Sequence, residues 1–599
     1  MEIITSSLHS DQLPKWSPDG KTLAFLSDRI EEGVFQLYVL GAAGFGEAKL
    51  ALKEGVEGVD GVVEDFYWSL DGSKILLLVA GRDADRDNAS GGSGKVGKPV
   101  GKEVPSWMPS VDYGDVSEMW RSLWVFDYNN SGKVAKKISG EKTNPWNVAW
   151  CGEESVVCVA SDEPTEDAWY SATVRIIDLS DLKEKVLYKP KRQLGSIAAS
   201  PTRNTIAVVE SIASDRGFVL GGIRIIDPET GTVQNIPSRA SGVSQVLYRD
   251  QYTLFYIGLE GLKTVAHQYA SPPWIPPWVS ENAIGGSMLP TATLLPDGKF
   301  AAILESWGQP PTISIIDPIH GKTTGILSFN HKGHGALDAG PSRPFFWKAP
   351  DGLEIQGFLH LPKKISGKIG LITNVHGGPV FANLNTSSAA GFTSLLTNKG
   401  YAVFRPNPRG SAGRGQAFAG AVVGDMGGAD AQDILSGIKA ICDSNPSLFD
   451  TSRLGVVGGS YGGYMASLLP TLSPIFAASV SMAAVTDWHS FHTTSNLGVF
   501  DTLFFEADPY TLDGGKRYLE RSPVMNVGRY KTPVLQTAGI ADLAVPMSQA
   551  VQYHRAMLEK GVESAIAIYP GEGHGVSKFP AVIDLMVRML GWFDRFMPA

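Results

Sequence analysis

Glycines bracket a single serine in Gly458-Gly459-Ser460-Tyr461-Gly462-Gly463, between the apolar run Leu454 to Val457 and the stretch Tyr464 to Leu469. This pattern predicts a strand, a sharp turn and a helix, with the serine hydroxyl lifted onto the turn. A side chain at Gly458 or Gly462 would collide with the neighbouring strand or helix, and the serine would be held in strained backbone with its oxygen exposed. A G-x-S-x-G string also arises by chance in a chain with 67 glycines, so its surroundings must decide its meaning.

With 599 residues, the chain exceeds what one hydrophobic core serves, and two or more domains are expected. A net charge of -9 without clustered Lys and Arg argues against a nucleic-acid partner or an anionic membrane surface. Three cysteines, Cys151, Cys158 and Cys442, make neither a disulfide framework nor a zinc site and suit a reducing compartment. Met1 to Pro14 has no basic segment followed by an apolar core, and nowhere do about 18 apolar residues run together. The expectation is a soluble, cytoplasmic protein.

Up to about residue 340 one pattern recurs: a tight polar turn, a short apolar strand, a loop, and a later strand often closed by aspartate. Trp16-Ser17-Pro18-Asp19-Gly20 precedes Thr22 to Leu26, Trp68-Ser69-Leu70-Asp71-Gly72 precedes Lys74 to Val79, and Leu295-Pro296-Asp297-Gly298 precedes Phe300 to Leu304. Weaker copies stand at Trp150-Cys151-Gly152, Ser200-Pro201-Thr202 and Tyr248-Arg249-Asp250. The later strands read Leu123 to Asp127, Val174 to Asp178, Ile223 to Asp227 and Ile313 to Asp317. Such a unit cannot bury both faces alone, and radial stacking of small sheets solves the problem. A β-propeller of six or seven blades is expected over residues 1–340, with a set of β-sandwiches as the alternative. Gly81 to Val104, rich in Gly, Ser, Lys and Asp, reads as a solvated loop insertion. Ser271 to Trp278 reads as a proline-stiffened strand connection in which Trp274 or Trp278 could face a cavity.

After Gly340-Pro341-Ser342-Arg343-Pro344 the style changes to apolar strands alternating with helical periods. Ile369 to Val375, Ala402 to Arg405, Leu454 to Val457, Ala477 to Met482, Val534 to Thr537 and Ala565 to Tyr569 read as buried parallel strands. Ala429 to Ile441, Ser548 to Glu559 and Ala581 to Phe596 read as helices between and after them. Residues 341–599 should therefore form a doubly wound, mostly parallel α/β domain whose site lies beyond the carboxyl ends of its strands.

The serine motif sits at one such strand end, and two others supply its partners. Asp542 follows the strand ending at Thr537, and His574 stands in the glycine-rich loop Gly571-Glu572-Gly573-His574-Gly575. Serine becomes a nucleophile when a neutral imidazole accepts its proton, and a carboxylate fixes the tautomer of that imidazole. The order Ser460, Asp542, His574 is the one α/β-hydrolases use. Taken singly, Asp542 could cap a helix and His574 could be a loop histidine satisfied by backbone. In His376-Gly377-Gly378-Pro379 the glycines let backbone N–H groups face the cavity, where Gly378, or secondly Gly377, and the N–H of Tyr461 would form an oxyanion hole. His376 reads as a structural residue of that loop. Trp488, Phe491, Phe504 and Phe505 could line a substrate pocket or belong to the core.

Together with Phe346-Trp347-Lys348-Ala349-Pro350-Asp351-Gly352 and Asn407-Pro408-Arg409-Gly410-Ser411, these motifs make the chain resemble the prolyl oligopeptidase family of serine peptidases. The resemblance runs to its acylaminoacyl-peptidase and dipeptidyl-peptidase-like branch and spans nearly the whole length. It implies an amino-terminal propeller that caps an α/β-hydrolase site and admits short peptides, with no metal and no organic cofactor. Two positions depart from the family pattern. Ala544 stands where relatives commonly carry an arginine that contacts the bound peptide, and Arg414 where they usually carry an aromatic residue; Arg414 is either a substitute cation or a surface residue. Glu210, Asp215 and Arg216 are candidates for cavity-facing charges, or belong to a solvated strand end. The expected substrate is a short peptide or acylated amino acid. An ester, lactone or non-peptide amide hydrolase, or an acyltransferase, is the alternative on the same triad, and an inert propeller scaffold is a third reading. A propeller edge or the final helix could pair two copies into a homo-oligomer.

Overall fold

The computed structural model describes residues 9–41, 47–52, 59, 61–85, 114–129, 135–269, 277–285, 288–328, 340–387 and 391–598. Every repeated turn joins two paired strands of one small antiparallel sheet, and its chemistry shows why. Ser17 Oγ donates to Asp19 Oδ1 at 2.7 Å and accepts the Thr22 N–H at 3.0 Å. Ser69 repeats this with Asp71 at 2.6 Å and the Lys74 N–H at 2.9 Å. Gly20 and Gly72 supply the φ values of 69° and 73° that close these turns.

Six such sheets, over residues 11–50, 62–137, 144–188, 193–236, 242–280 and 283–328, are the blades of a β-propeller. Among the described residues the blade count is six, and no composite seventh sheet occurs. First strands of successive blades, including Asn147 to Trp150, Gly195 to Ala199 and Ser244 to Tyr248, line a central channel with about 1570 Å³ of empty space. Residues 86–104 of the expected insertion and 271–276 of the proline-rich stretch lie outside the described residues. Trp278 is buried between the fifth and sixth blades, edge-on to Phe300 at 5.6 Å.

The second half carries one eight-stranded sheet, ordered Ser342–Lys348, Glu354–His360, Ala402–Asn407, Ile369–Val375, Phe449–Gly459, Phe476–Met482, Val534–Gly539 and Ser564–Tyr569. From Ala402–Asn407 onward all neighbours are parallel. The pleat places successive side chains on opposite faces. Val456 enters the core that contains Ile434 and Ile438 of helix Ala429–Ser444, and Val457 enters the core that contains Trp592 and Phe593 of helix Ala581–Phe596. Both valines are fully buried, each contributing about 1.5–3 kcal/mol, and this two-sided burial explains the unbroken apolar run.

Two antiparallel strands were not legible in the sequence. Ser342–Lys348 and Glu354–His360 form a hairpin on the sheet edge, closed by Gly352 N donating to Ala349 O at 2.9 Å. Most of the outer strand faces solvent, and its only apolar run is Phe345-Phe346-Trp347, of which Trp347 alone is buried.

Candidate active site

The strand Phe449–Gly459 ends at Ser460, whose φ of 58° and ψ of −123° are a conformation that L-residues rarely adopt. Close packing enforces it. A Cβ on Gly458 would lie 2.3 Å from Gly462 O, and one on Gly462 would lie 2.1 Å from Val375 O. Helix Tyr461–Leu472 therefore starts directly behind the serine, and Ser460 N donates to Met482 O on the adjacent strand at 3.0 Å.

Asp542 and His574 follow the neighbouring strands Val534–Gly539 and Ser564–Tyr569. Backbone bonds from Ile540 N to Tyr569 O at 3.1 Å and from Ala541 N to Glu572 O at 2.9 Å hold their loops together. The buried Glu572 carboxylate accepts the N–H groups of Ser577 and Lys578 at 3.1 and 3.2 Å, which closes the glycine-rich loop. His574 Nδ1 lies 2.8 Å from Asp542 Oδ2, and Asp542 Oδ1 accepts the Val545 N–H at 2.8 Å. A carboxylate at Nδ1 puts the ring proton there and leaves the basic lone pair on Nε2.

The loop after Ile369–Val375 passes close to the serine: a Cβ on Gly377 would lie 3.3 Å from Ser460 Cβ. Gly378 has a φ of 110°. His376 Nδ1 donates to Gly377 O at 2.7 Å, so its Nε2 accepts the Ser411 hydroxyl at 2.9 Å. Burial pushes its pKa down to about 4, and the neutral ring serves as a strut of the loop. The Tyr461 side chain is also engaged elsewhere: its hydroxyl donates to Asp430 Oδ2 at 2.6 Å, which leaves its backbone N–H as the group near Ser460.

Ser460, Tyr461, Gly378 and His574 line one chamber with about 350 Å³ of empty space. Trp488 and Phe491 form part of its apolar wall, with Val485, Leu497, Phe500, Ala544 and Val545. Of the four aromatic residues that followed the nucleophile strand, Phe504 and Phe505 belong to the core; Phe505 meets Trp488 edge-on at 5.2 Å. The sequence offered no cue to Phe500 as a wall residue, since one more aromatic on a buried helix reads as core. Arg414 is not among the residues lining the chamber. Its guanidinium donates to Glu354 O and stacks over Phe418, 4.2 Å from the ring centroid.

Of the three candidate cavity charges, the structure separates one from the others. Asp215 reaches the chamber from the fourth blade. Arg216, the next residue, lines the propeller channel and donates to Glu166 Oε1 at 2.8 Å. Glu210 is a buried hub that accepts from Arg224 Nε at 2.6 Å, Tyr188 Oη at 2.9 Å and the Lys191 N–H at 2.9 Å.

Residues 388–598 match the Prolyl oligopeptidase family. The carboxyl-terminal part of this chain belongs to that family. Over these residues the chain is a serine peptidase of the prolyl oligopeptidase type. It is 27% identical to an uncharacterized peptidase, YuxL, of Bacillus subtilis, over 98% of this chain and 90% of the relative. It is 25% identical to dipeptidyl aminopeptidase BIII of Pseudoxanthomonas mexicana, over 94% and 83% of the two chains. The solved structure of Pyrococcus horikoshii acylaminoacyl peptidase superposes with a TM-score of 0.76 at 22% identity, covering 98% of this chain and 88% of that one. At that identity the likeness shows the shared fold of propeller and α/β-hydrolase. No helix among the described residues of this chain is long and apolar enough to cross a membrane.

Proposed function

We propose that this prolyl oligopeptidase-family enzyme cleaves amide bonds of short peptides or acylated amino acids through an acyl-enzyme on Ser460. The observation that carries the reading is the His574–Asp542 pair, with His574 lining the same chamber as the serine at a strained turn. Ser460 Oγ attacks the carbonyl carbon while His574 Nε2 takes its proton. The N–H groups of Tyr461 and Gly378 receive the oxyanion. His574 then returns the proton to the leaving amine, and water repeats the sequence to free the acyl group. The wall of Val485, Trp488, Phe491, Leu497 and Phe500 suits an apolar acyl group or side chain. In this reading residues 1–340 gate access and residues 341–599 do the chemistry. The three buried cysteines, all unpaired, support a cytoplasmic setting.

A second reading rests on Ala544, which lines the chamber with a methyl group and offers a bound peptide no side-chain donor. An ester or non-peptide amide needs no such anchor, and the same groups would hydrolyse it. Intact-mass analysis after fluorophosphonate treatment tests the common chemistry: wild type should gain one adduct and Ser460→Ala none. An unlabelled, folded wild type would reject it. Comparing acyl-peptide anilides with simple aryl esters then separates the two substrates, and a strong preference for the peptides would reject the second.

A further inference from the structure

The glycine loop that carries the proposed oxyanion donor is held from two sides. On the hydrolase side, His376 is fixed through Ser411, and Ala412 N donates to Phe381 O at 2.9 Å. On the other side the loop meets the fourth blade of the propeller. Val380 N donates to Ser214 Oγ at 3.3 Å, and the Phe381 ring packs against Phe218 with centroids 4.8 Å apart. Ser214 is itself anchored. Tyr170 Oη donates to Ser214 O at 2.6 Å, Ala213 N donates to Gln193 Oε1 at 3.1 Å, and Phe218 N closes a turn on Asp215 O at 3.0 Å.

Burial makes this contact consequential. Val380 is fully buried and Ser214 is 1% exposed, so water cannot replace the hydroxyl as acceptor for the Val380 N–H. The loop also folds back tightly on itself: a Cβ placed on Gly378 would lie 2.5 Å from Val380 N. Pro379 alone separates Gly378 from Val380, so a shift of the Val380 amide is passed to Gly378 along the chain.

We infer that Ser214 is a positioning residue of the hydrolase reaction, holding the Gly378 amide on the oxyanion through its bond to Val380. The propeller thus contributes to the chemistry as well as to access. This rests on the reading of Gly378 as an oxyanion donor. Removing a donor outright costs about 100- to 1000-fold in kcat, and a displaced donor costs less.

The test compares wild type, Ser214→Ala and Ser214→Thr in the full-length protein. Ser214→Ala should lose about tenfold in kcat with KM unchanged. Its affinity for a peptide aldehyde, which forms a hemiacetal on Ser460, should fall by the same factor. Binding of the corresponding alcohol should not change, and Ser214→Thr, which keeps the hydroxyl, should recover most of the loss. An effect confined to KM or to the melting temperature, with the aldehyde-to-alcohol ratio kept, would overturn the positioning role alone. A wild type that binds the aldehyde no better than the alcohol would overturn the oxyanion reading, and this inference with it.

Discussion

Asp215 and Ser460 come from opposite halves of the chain and line the same chamber. The fourth propeller blade therefore forms one wall of the site built at the carboxyl ends of the hydrolase strands. That wall carries an ionisable group opposite a surface of Trp488, Phe491 and Phe500.

Asp215 should make stability depend on pH. Burial pushes its carboxyl up to about 7, opposed by the Ser214 hydroxyl and by His574, with Glu166 acting in the same direction as burial. Its Oδ2 has no hydrogen-bond partner. Because the folded pKa is raised, the contribution of Asp215 is fully present below the unfolded value of about 4 and is lost as pH rises through about 7. Asp215→Asn removes that loss. Its stability relative to wild type should climb between about pH 4 and about pH 7 and then level off, reaching about 1–3 kcal/mol. A difference that does not vary with pH in thermal scans would contradict this.

Asp542→Asn tests the orientation of His574. The amide keeps the shape of the carboxylate but favours the wrong tautomer of the imidazole, which should lower kcat about 10⁴-fold. Folding should be little affected, since the remaining oxygen can still accept the Val545 N–H. Steady-state kinetics with a melting curve on the same preparation decide the point.

Gly462→Ala probes the serine turn. Its new methyl would lie 2.1 Å from Val375 O and 2.9 Å from His376 O, both backbone atoms that cannot swing away. The expected cost is about 1–3 kcal/mol of stability, together with slower fluorophosphonate labelling of Ser460 as the turn and the oxyanion loop move apart. Wild-type labelling and melting would show that the turn tolerates a side chain.

Arg409→Ala tests the Asn407 to Ser411 loop. Arg409 donates to the buried Asp433 carboxylate from Nε at 2.9 Å, Nη2 at 2.8 Å and its backbone N–H at 2.9 Å. Truncation leaves Asp433 with a charge and only the backbone donor, a loss of about 3–5 kcal/mol. Adding Asp433→Asn should return part of it. Urea unfolding of the single and double variants measures both, and no recovery in the double variant would mean that the pair acts through packing.

Where neighbouring residues fix the outcome, the sequence was sufficient. The Ser-x-Asp-Gly turns gave the blades, the two-sided apolar runs gave the parallel strands, and Ser460, Asp542 and His574 each announced a strand end in hydrolase order. Ser342–Lys348 is exposed at most positions, and Gln356 and Gly357 interrupt the apolar run of its buried partner Glu354–His360, so the edge hairpin left no continuous apolar pattern. Tertiary structure alone decided which charges meet the chamber. Glu210, Asp215 and Arg216 lie within seven positions of one another in sequence, yet one is a hub of the blade, one faces Ser460 and one faces the propeller channel. The same holds for Ser214 and Val380, whose bond spans 166 positions. Local pattern records what a residue does with its near neighbours, whereas partners brought together by packing of two separate halves leave no spacing to read.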